Sequence, residues 1–212
     1  VRRIGFILRR LWEDIIRSIS GPIGIRLRRF YYSSRFQTCG KGLVIETGVH
    51  ISHPECIRLG EKVWIDKQST LLAGPASPSK NIKYIENLSF TGKQGEIHIG
   101  SQVHLGIRST IQGHGGVSIG DYFTCSANVS IFSYSNDPYL CQQGTLPGSS
   151  SFYVETPVQI GSNVWLGLGV SMIGNTIGDD VFVKPHSLIH TIIPTNSVAG
   201  GYPLQVIGPR FK

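Results

Sequence analysis

The chain is poor in charge, in cysteine and in uninterrupted apolar sequence, and each shortage excludes something. Only 16% of its 212 residues are charged, far below what a charge-rich disordered chain carries. No apolar stretch approaches the roughly 20 residues needed to span a bilayer as a helix. The longest apolar run near the start, from Ile4 to Leu8, is too short for a secretory h-region, so a cytoplasmic setting is expected. The four cysteines, Cys39, Cys56, Cys125 and Cys141, lie far apart without metal-ligand spacing, and no carboxylate accompanies the histidines in a ligand pattern. Neither a zinc site nor a disulfide framework is expected, and no metal.

Glycine is abundant instead, 26 residues, beside 40% hydrophobic content. Aliphatic residues followed by small or acidic ones recur at six-residue steps. The steps run from Ile99-Gly100 through Leu105-Gly106 to Ile111, and from Ile119-Gly120 through Cys125 to Ile131. They resume from Ile160-Gly161 through Leu166-Gly167 to Met172, and from Ile177-Gly178 through Val183 to Ile189. A six-residue period fits neither the alternation of a long strand nor the 3.6-residue helix; it reads as a short strand and a turn, repeated into a solenoid. The aliphatic residue of each hexad then points inward, and Cys125, at such a position, is expected to be a buried reduced thiol.

The net charge of +7 is confined to one end. Residues 1–36 carry nine arginines against Glu13 and Asp14, so the rest of the chain is formally neutral. In this arm Ile4, Ile7, Leu8, Leu11, Trp12, Ile15, Ile16 and Ile19 fall at helical spacing, with arginines on the other face, until Gly21-Pro22. The stripe packs on the solenoid or a neighbouring subunit, or it enters the boundary of an anionic membrane through residues 1–20. Nucleic acid is not an expected partner, because no basic stripe interleaved with aromatics lies outside the arm. Residues 37–212 are assigned to the solenoid, with excursions at about 75–94 and 133–156 where Pro, Ser and Gly break the rhythm.

The hexads, the run Ile160-Gly161-Ser162-Asn163-Val164-Trp165-Leu166-Gly167 and the ending Ala199-Gly200-Gly201-Tyr202-Pro203 resemble the hexapeptide-repeat acyltransferases, in particular the sugar and polysaccharide O-acetyltransferases. The resemblance implies a mainly β fold, a left-handed parallel β-helix of about 18 residues per coil behind an N-terminal amphipathic helix. It also implies a homotrimer, with acetyl-CoA as acyl donor in the groove between subunits and a sugar or polysaccharide precursor as acceptor. Alternatives are an N-acetyltransferase of an amino sugar or a catalytically silent binding subunit.

A sugar hydroxyl needs a base to take its proton as it attacks a thioester, and a neutral histidine suits that task. By resemblance that histidine belongs near Tyr134, Asn136 and Asp137, but Asn136 stands in its place, and an amide is no base. Either Asp137 serves, or catalysis is lost, or another histidine acts. His114, within Gly113-His114-Gly115-Gly116, resembles the histidine segment of serine acetyltransferases and is the candidate base, with a turn histidine held by backbone hydrogen bonds as the other reading. An 18-residue coil would set it above Phe132. Tyr134, Asn136 and Asp137 are then expected to contact substrate. The donor is expected to meet Trp165 and Gly167 along its arm, the backbone around Gly200, Gly201 and Pro203, and Lys184 and Arg210 at its phosphates. His50, His53, His98 and His104 fall at outward positions and are expected to make ordinary surface contacts.

Overall fold

A computed structural model describes residues 2–75, 81–137 and 152–212, with side chains from residue 10 onward. Cys141, residues 76–80 and 138–151 of the two expected excursions, and the side chains of Ile4, Ile7 and Leu8 lie outside the described residues. The body is a parallel β-helix of three faces. Sheet A contains Thr38–Cys39, Ile57–Leu59, Ile97–Ile99, Val117–Ile119, Val158–Ile160 and Thr176–Ile177. Sheet B runs from Val44–Ile45 through Trp64–Ile65, His104–Leu105, Thr124–Cys125, Trp165–Leu166 and Phe182–Val183 to Ser197–Gly200, where Gln205–Pro209 adds an antiparallel edge. Sheet C contains His50–Ser52, Thr70–Leu72, Thr110–Gln112, Ser130–Phe132, Ser171–Ile173 and Leu188–Ile189.

Every hexad aliphatic faces the interior. Ile99, Leu105, Ile111, Ile119, Ile131, Ile160, Leu166, Met172, Ile177, Val183 and Ile189 are all buried. Cys125 shares their column as a free thiol, and burial pushes its ionisation upward, which keeps it unreactive. The small residues after the aliphatics are sterically required: a Cβ on Gly60 would stand 2.6 Å from the carbonyl carbon of Gly100 one coil on.

The coil length differs from the expected 18. Ile45 pairs with Ile65 and Leu105 with Cys125, so regular coils take 20 residues. Leu166 pairs with Val183, and that coil takes 17. The extra length sits within sheet A, whose strands bury two residues each, as Ile57 and Leu59 do, while the corner from sheet C to sheet A keeps the hexad step, from Ile51 to Ile57. The other two corners are uniform. Lys62, Gln102, Tyr122, Asn163 and Asp180 turn one of them and Gln68, Arg108, Asn128 and His186 the other, all with φ between 55° and 59°. Such left-handed backbone costs a non-glycine residue roughly 1–2 kcal/mol, so the regular ladder overrides local preference at each coil.

The arm forms two helices. Helix α1, Arg2–Ser18, ends before Gly21-Pro22, and helix α2, Gly21–Ser33, starts there with proline in its first turn. Arg28 of α2 is fully buried and clamps this end of the solenoid: its Nε donates to the Ile45 carbonyl at 2.9 Å and its Nη1 to the Ile16 and Ile19 carbonyls at 2.7 and 2.6 Å. Of the stripe on α1, Ile16 is buried, whereas Leu11, Trp12 and Ile15 each remain about half exposed. No helix among the described residues is long and apolar enough to cross a membrane.

Both excursions leave from the corner between sheets C and A, and they join each other. Asn81–Tyr84 of the first pairs parallel with Phe152–Glu155 of the second, which pairs antiparallel with Tyr134–Asn136. The loop expected at 75–94 therefore contributes a strand to a small three-stranded sheet standing over residues 113–116.

Candidate active site

Residues 113–116 replace a regular turn, and almost every backbone group in them is engaged. Gly113 N–H donates to the Leu72 carbonyl and Gly116 N–H to the Gly113 carbonyl, while the His114 carbonyl accepts from Gly95 N–H. Gly115 N–H donates to Ser133 Oγ, whose hydroxyl donates to the Gln112 carbonyl. Glycine is needed at 115 because a Cβ there would stand 2.4 Å from the Ser133 carbonyl oxygen and 3.2 Å from Glu155 Cβ. The loop is thus held between the coil below and the small sheet above.

His114 Nδ1 lies 2.8 Å from the Gly74 carbonyl oxygen. A carbonyl only accepts, so Nδ1 carries the proton and Nε2 of the neutral ring keeps its lone pair. The ring meets Tyr134 edge to face at 5.2 Å, and Tyr134 stacks on Tyr153 at 5.0 Å. With 20-residue coils, His114 therefore stands over Tyr134, two residues beyond the expected Phe132.

Strand alternation sorts the other expected residues. Asn136 shares the face of Tyr134 and pairs directly with Tyr153, one strand repeat farther from His114. It is exposed, while Asp137 follows the strand end, half-buried, its N–H donating to the Phe152 carbonyl. Tyr134 is thus the one of the three brought against the imidazole.

Two residues escaped sequence reasoning. Gly74 acts through its carbonyl, which no side-chain pattern can signal. Glu155 sits fully buried opposite Tyr134 in the small sheet; Gln94 Nε2 donates to its Oε2, and Oε1 has no hydrogen-bond partner. An unsatisfied buried oxygen of this kind costs about 1–3 kcal/mol or more. A lone glutamate in a broken repeat carried no signal of it.

The residues expected at the donor gather elsewhere, on sheet B and its corner with sheet C. Trp165 is half exposed on sheet B, packed on Phe182 at 4.9 Å, and Lys184 is exposed at the corner, with its stem against Gly200. A Cβ on Gly167 would meet Pro185 N at 2.6 Å, so that glycine serves coil stacking. Gly201 N–H is taken by Ser187 Oγ at 2.9 Å, and Pro203 is exposed in the turn that follows. Arg210 also makes contacts of its own within the coil. Its Nη1 donates to the Asn163 and Val181 carbonyls and so ties the last strand to the coil. Sheet C separates this group from His114 within one chain.

No family model matches the sequence. Among curated relatives, a dTDP-4-amino-4,6-dideoxy-D-glucose acyltransferase of Escherichia coli is 30% identical over 159 residues, 73% of this chain and 82% of that protein. This chain belongs to the hexapeptide-repeat acyltransferases. The galactoside O-acetyltransferase of Escherichia coli is 29% identical, covering 68% of each chain. A Mycobacterium tuberculosis protein named as a probable acetyltransferase is 30% identical over 57% of this chain, and the chain spans half of its length. Solved structures share the fold, a left-handed β-helix. AntD, an N-acyltransferase from Bacillus cereus in complex with dTDP-4-amino-4,6-dideoxyglucose and coenzyme A, superposes with a TM-score of 0.69 at 18% identity over 87% of this chain and 90% of its own. A hexapeptide-repeat-containing acetyltransferase of Vibrio cholerae complexed with acetyl-CoA gives 0.56 at 17% identity, over 92% and 82%.

Proposed function

We propose that the chain transfers an acetyl group from acetyl-CoA to a hydroxyl of a sugar, in a surface polysaccharide or its precursor, with His114 as general base. The observation that carries this reading is the 2.8 Å contact to Gly74, which commits Nδ1 as donor and leaves Nε2 as the basic nitrogen. Nε2 takes the hydroxyl proton as the oxygen attacks the thioester carbonyl. Collapse of the tetrahedral adduct breaks the C–S bond, and the imidazolium returns the proton to the departing thiolate. Asn136 alone would favour a silent subunit; an anchored imidazole one coil away argues for chemistry.

An amino sugar is the second reading, favoured by the 4-amino-sugar acyltransferase relative and by the ligand of AntD. A neutral amine attacks without prior loss of a proton, so an anchored base is needed more by a hydroxyl. His114 lies at the corner between sheets C and A and the Trp165 group on sheet B, so a sheet C strand and its turns hold them more than about 10 Å apart in one protomer. A homotrimer would bring one chain's His114 to a neighbour's sheet B, with Trp165 and Lys184 along the donor.

The test is thiol release from acetyl-CoA with matched hydroxyl and amino sugars. Preference for the hydroxyl sugars is expected, and turnover in His114→Ala is expected to fall by about 10²- to 10⁴-fold. Undiminished turnover in that variant would remove the base assignment. Membrane attachment through α1 is part of the same reading, since the nine arginines of the arm accompany the exposed Trp12, Leu11 and Ile15. Because Ile16 and Arg28 tie α1 to the solenoid, a surface change is a cleaner probe than truncation. Trp12→Glu is expected to lower co-sedimentation with anionic vesicles, and unchanged co-sedimentation would reject the attachment.

A further inference from the structure

The outward column of sheet B reads Trp64, His104, Thr124, Trp165, Phe182, one residue per coil. Two aromatic stations are separated by the small Thr124. The upper station, Trp165 on Phe182, stands toward the C-terminal coils. The lower one joins Trp64 to His104 at 5.2 Å with the rings inclined by 49°, and Asp66 lies beside it. Trp64 is 47% exposed.

The polar groups at the lower station are incompletely used. Asp66 Oδ1 accepts from Lys67 N–H at 2.7 Å. Its Oδ2 is 3.7 Å from His104 Nε2, too far for a hydrogen bond, and that nitrogen is itself buried without a hydrogen-bond partner, so the carboxylate oxygen is the polar group left to a ligand. A half-exposed indole, backed by the His104 ring and beside a carboxylate oxygen, matches a sugar ring, whose C–H face stacks on an aromatic while its hydroxyls donate to a carboxylate.

The heights agree with this division. His104 and His114 belong to the same coil, between Ile97 and Val117. Strand spacing sets Trp64 and Trp165 about 14 Å apart, with the coil of His114 between them. A donor lying along the upper station would then leave the lower one to the acceptor.

We propose that Trp64, His104 and Asp66 form a pyranose-binding subsite that holds the acceptor and sets its specificity. This rests on the proposed acyl transfer, with the upper station at the donor. His104, expected to make only surface contacts, becomes part of a site.

The chain has three tryptophans, Trp12, Trp64 and Trp165. In a Trp12→Phe, Trp165→Phe background, Trp64 alone reports, and its fluorescence is titrated with methyl β-D-galactopyranoside and methyl β-D-glucopyranoside up to about 100 mM, a range that detects weak sites. A saturable change that Asp66→Asn weakens by about tenfold is expected. With whichever sugar supports thiol release, Trp64→Ala is expected to raise the acceptor KM about tenfold while leaving the acetyl-CoA KM within about twofold.

Sugar binding at Trp64 without thiol release from any acceptor would reject the proposed function and keep the subsite. Thiol release with an acceptor KM unmoved by Trp64→Ala would reject the subsite and keep the function. A change in oligomeric mass in Trp64→Ala, with no fluorescence response to either sugar, would also overturn the proposal by making the cluster a subunit contact.

Discussion

Two kinds of corner divide the β-helix. At the corners flanking sheet B, coil after coil turns through a single left-handed residue, Gln102, Tyr122 and Asn163 on one side and Gln68, Arg108 and Asn128 on the other. At the corner from sheet C to sheet A no two turns match: a short 3-10 helix at Pro54–Cys56, a 24-residue departure after Leu72, the turn around His114, and a second departure after Phe132. The uniform corners fix the prism, and their near-identical backbones leave little room for a new side chain to be aimed. The irregular corner is where the chain can place an imidazole, a carboxylate and two tyrosines together. Rigidity at two edges is what lets the third vary without loss of the fold.

The largest effect expected from breaking this contrast is the loss of turnover in His114→Ala, with the melting temperature nearly unchanged, because the ring is half-buried and the backbone bonds of the turn survive. A melting temperature that fell with the rate would mean that the ring is a structural pin instead. Next comes Gly115→Ala. The new methyl group must displace the Ser133 carbonyl or the Glu155 side chain, and neither is the free end of a flexible group. Destabilisation of roughly 1–3 kcal/mol is expected in denaturant melts, with a further loss of turnover as the small sheet moves away from His114. An Ala variant as stable as the parent would show that the irregular corner is looser than its hydrogen bonds imply.

Much of the prism was legible because its signal is repetition. Ile99, Leu105 and Ile111 announce a rung, and three more hexad runs announce the same rung again, so errors at one position are corrected by the next. The coil length was misjudged because a hexad count allows one inward residue per face, whereas a sheet A strand buries two, as with Ile57 and Leu59, and so lengthens each regular coil. That error moved His114 from Tyr134 to Phe132. The histidine itself was legible from its glycine neighbours. Its anchor was not, since the Gly74 carbonyl belongs to a residue 40 positions away with no side chain to mark it. The partners of Arg210 were hidden for a related reason, since the Asn163 and Val181 carbonyls belong to residues far from it in sequence with nothing in their side chains to mark them. His104 and Asp66, 38 positions apart, meet only because an excursion makes their coil step 40 residues long.

The smallest expected effect tests the uniform corners. Tyr122 has φ of 58° and is 57% exposed, so its ring contributes little burial while its backbone occupies a region that a bulky residue disfavours. Asparagine tolerates that conformation better, and unlike glycine it does not widen the unfolded ensemble. Tyr122→Asn is therefore expected to stabilise the protein by about 0.5–1 kcal/mol, a rise of roughly 1–4 °C in melting temperature for a chain of this size. Turnover should not change, because the corner it sits on carries none of the candidate catalytic groups. If the variant melts lower instead, the ring of Tyr122 holds more against its neighbours than its exposure indicates, and the corners flanking sheet B are stabilised by side chains as well as by the ladder. A gain in stability together with a change in turnover would be more consequential, since it would mean that a uniform corner transmits strain through the prism to the one that carries His114.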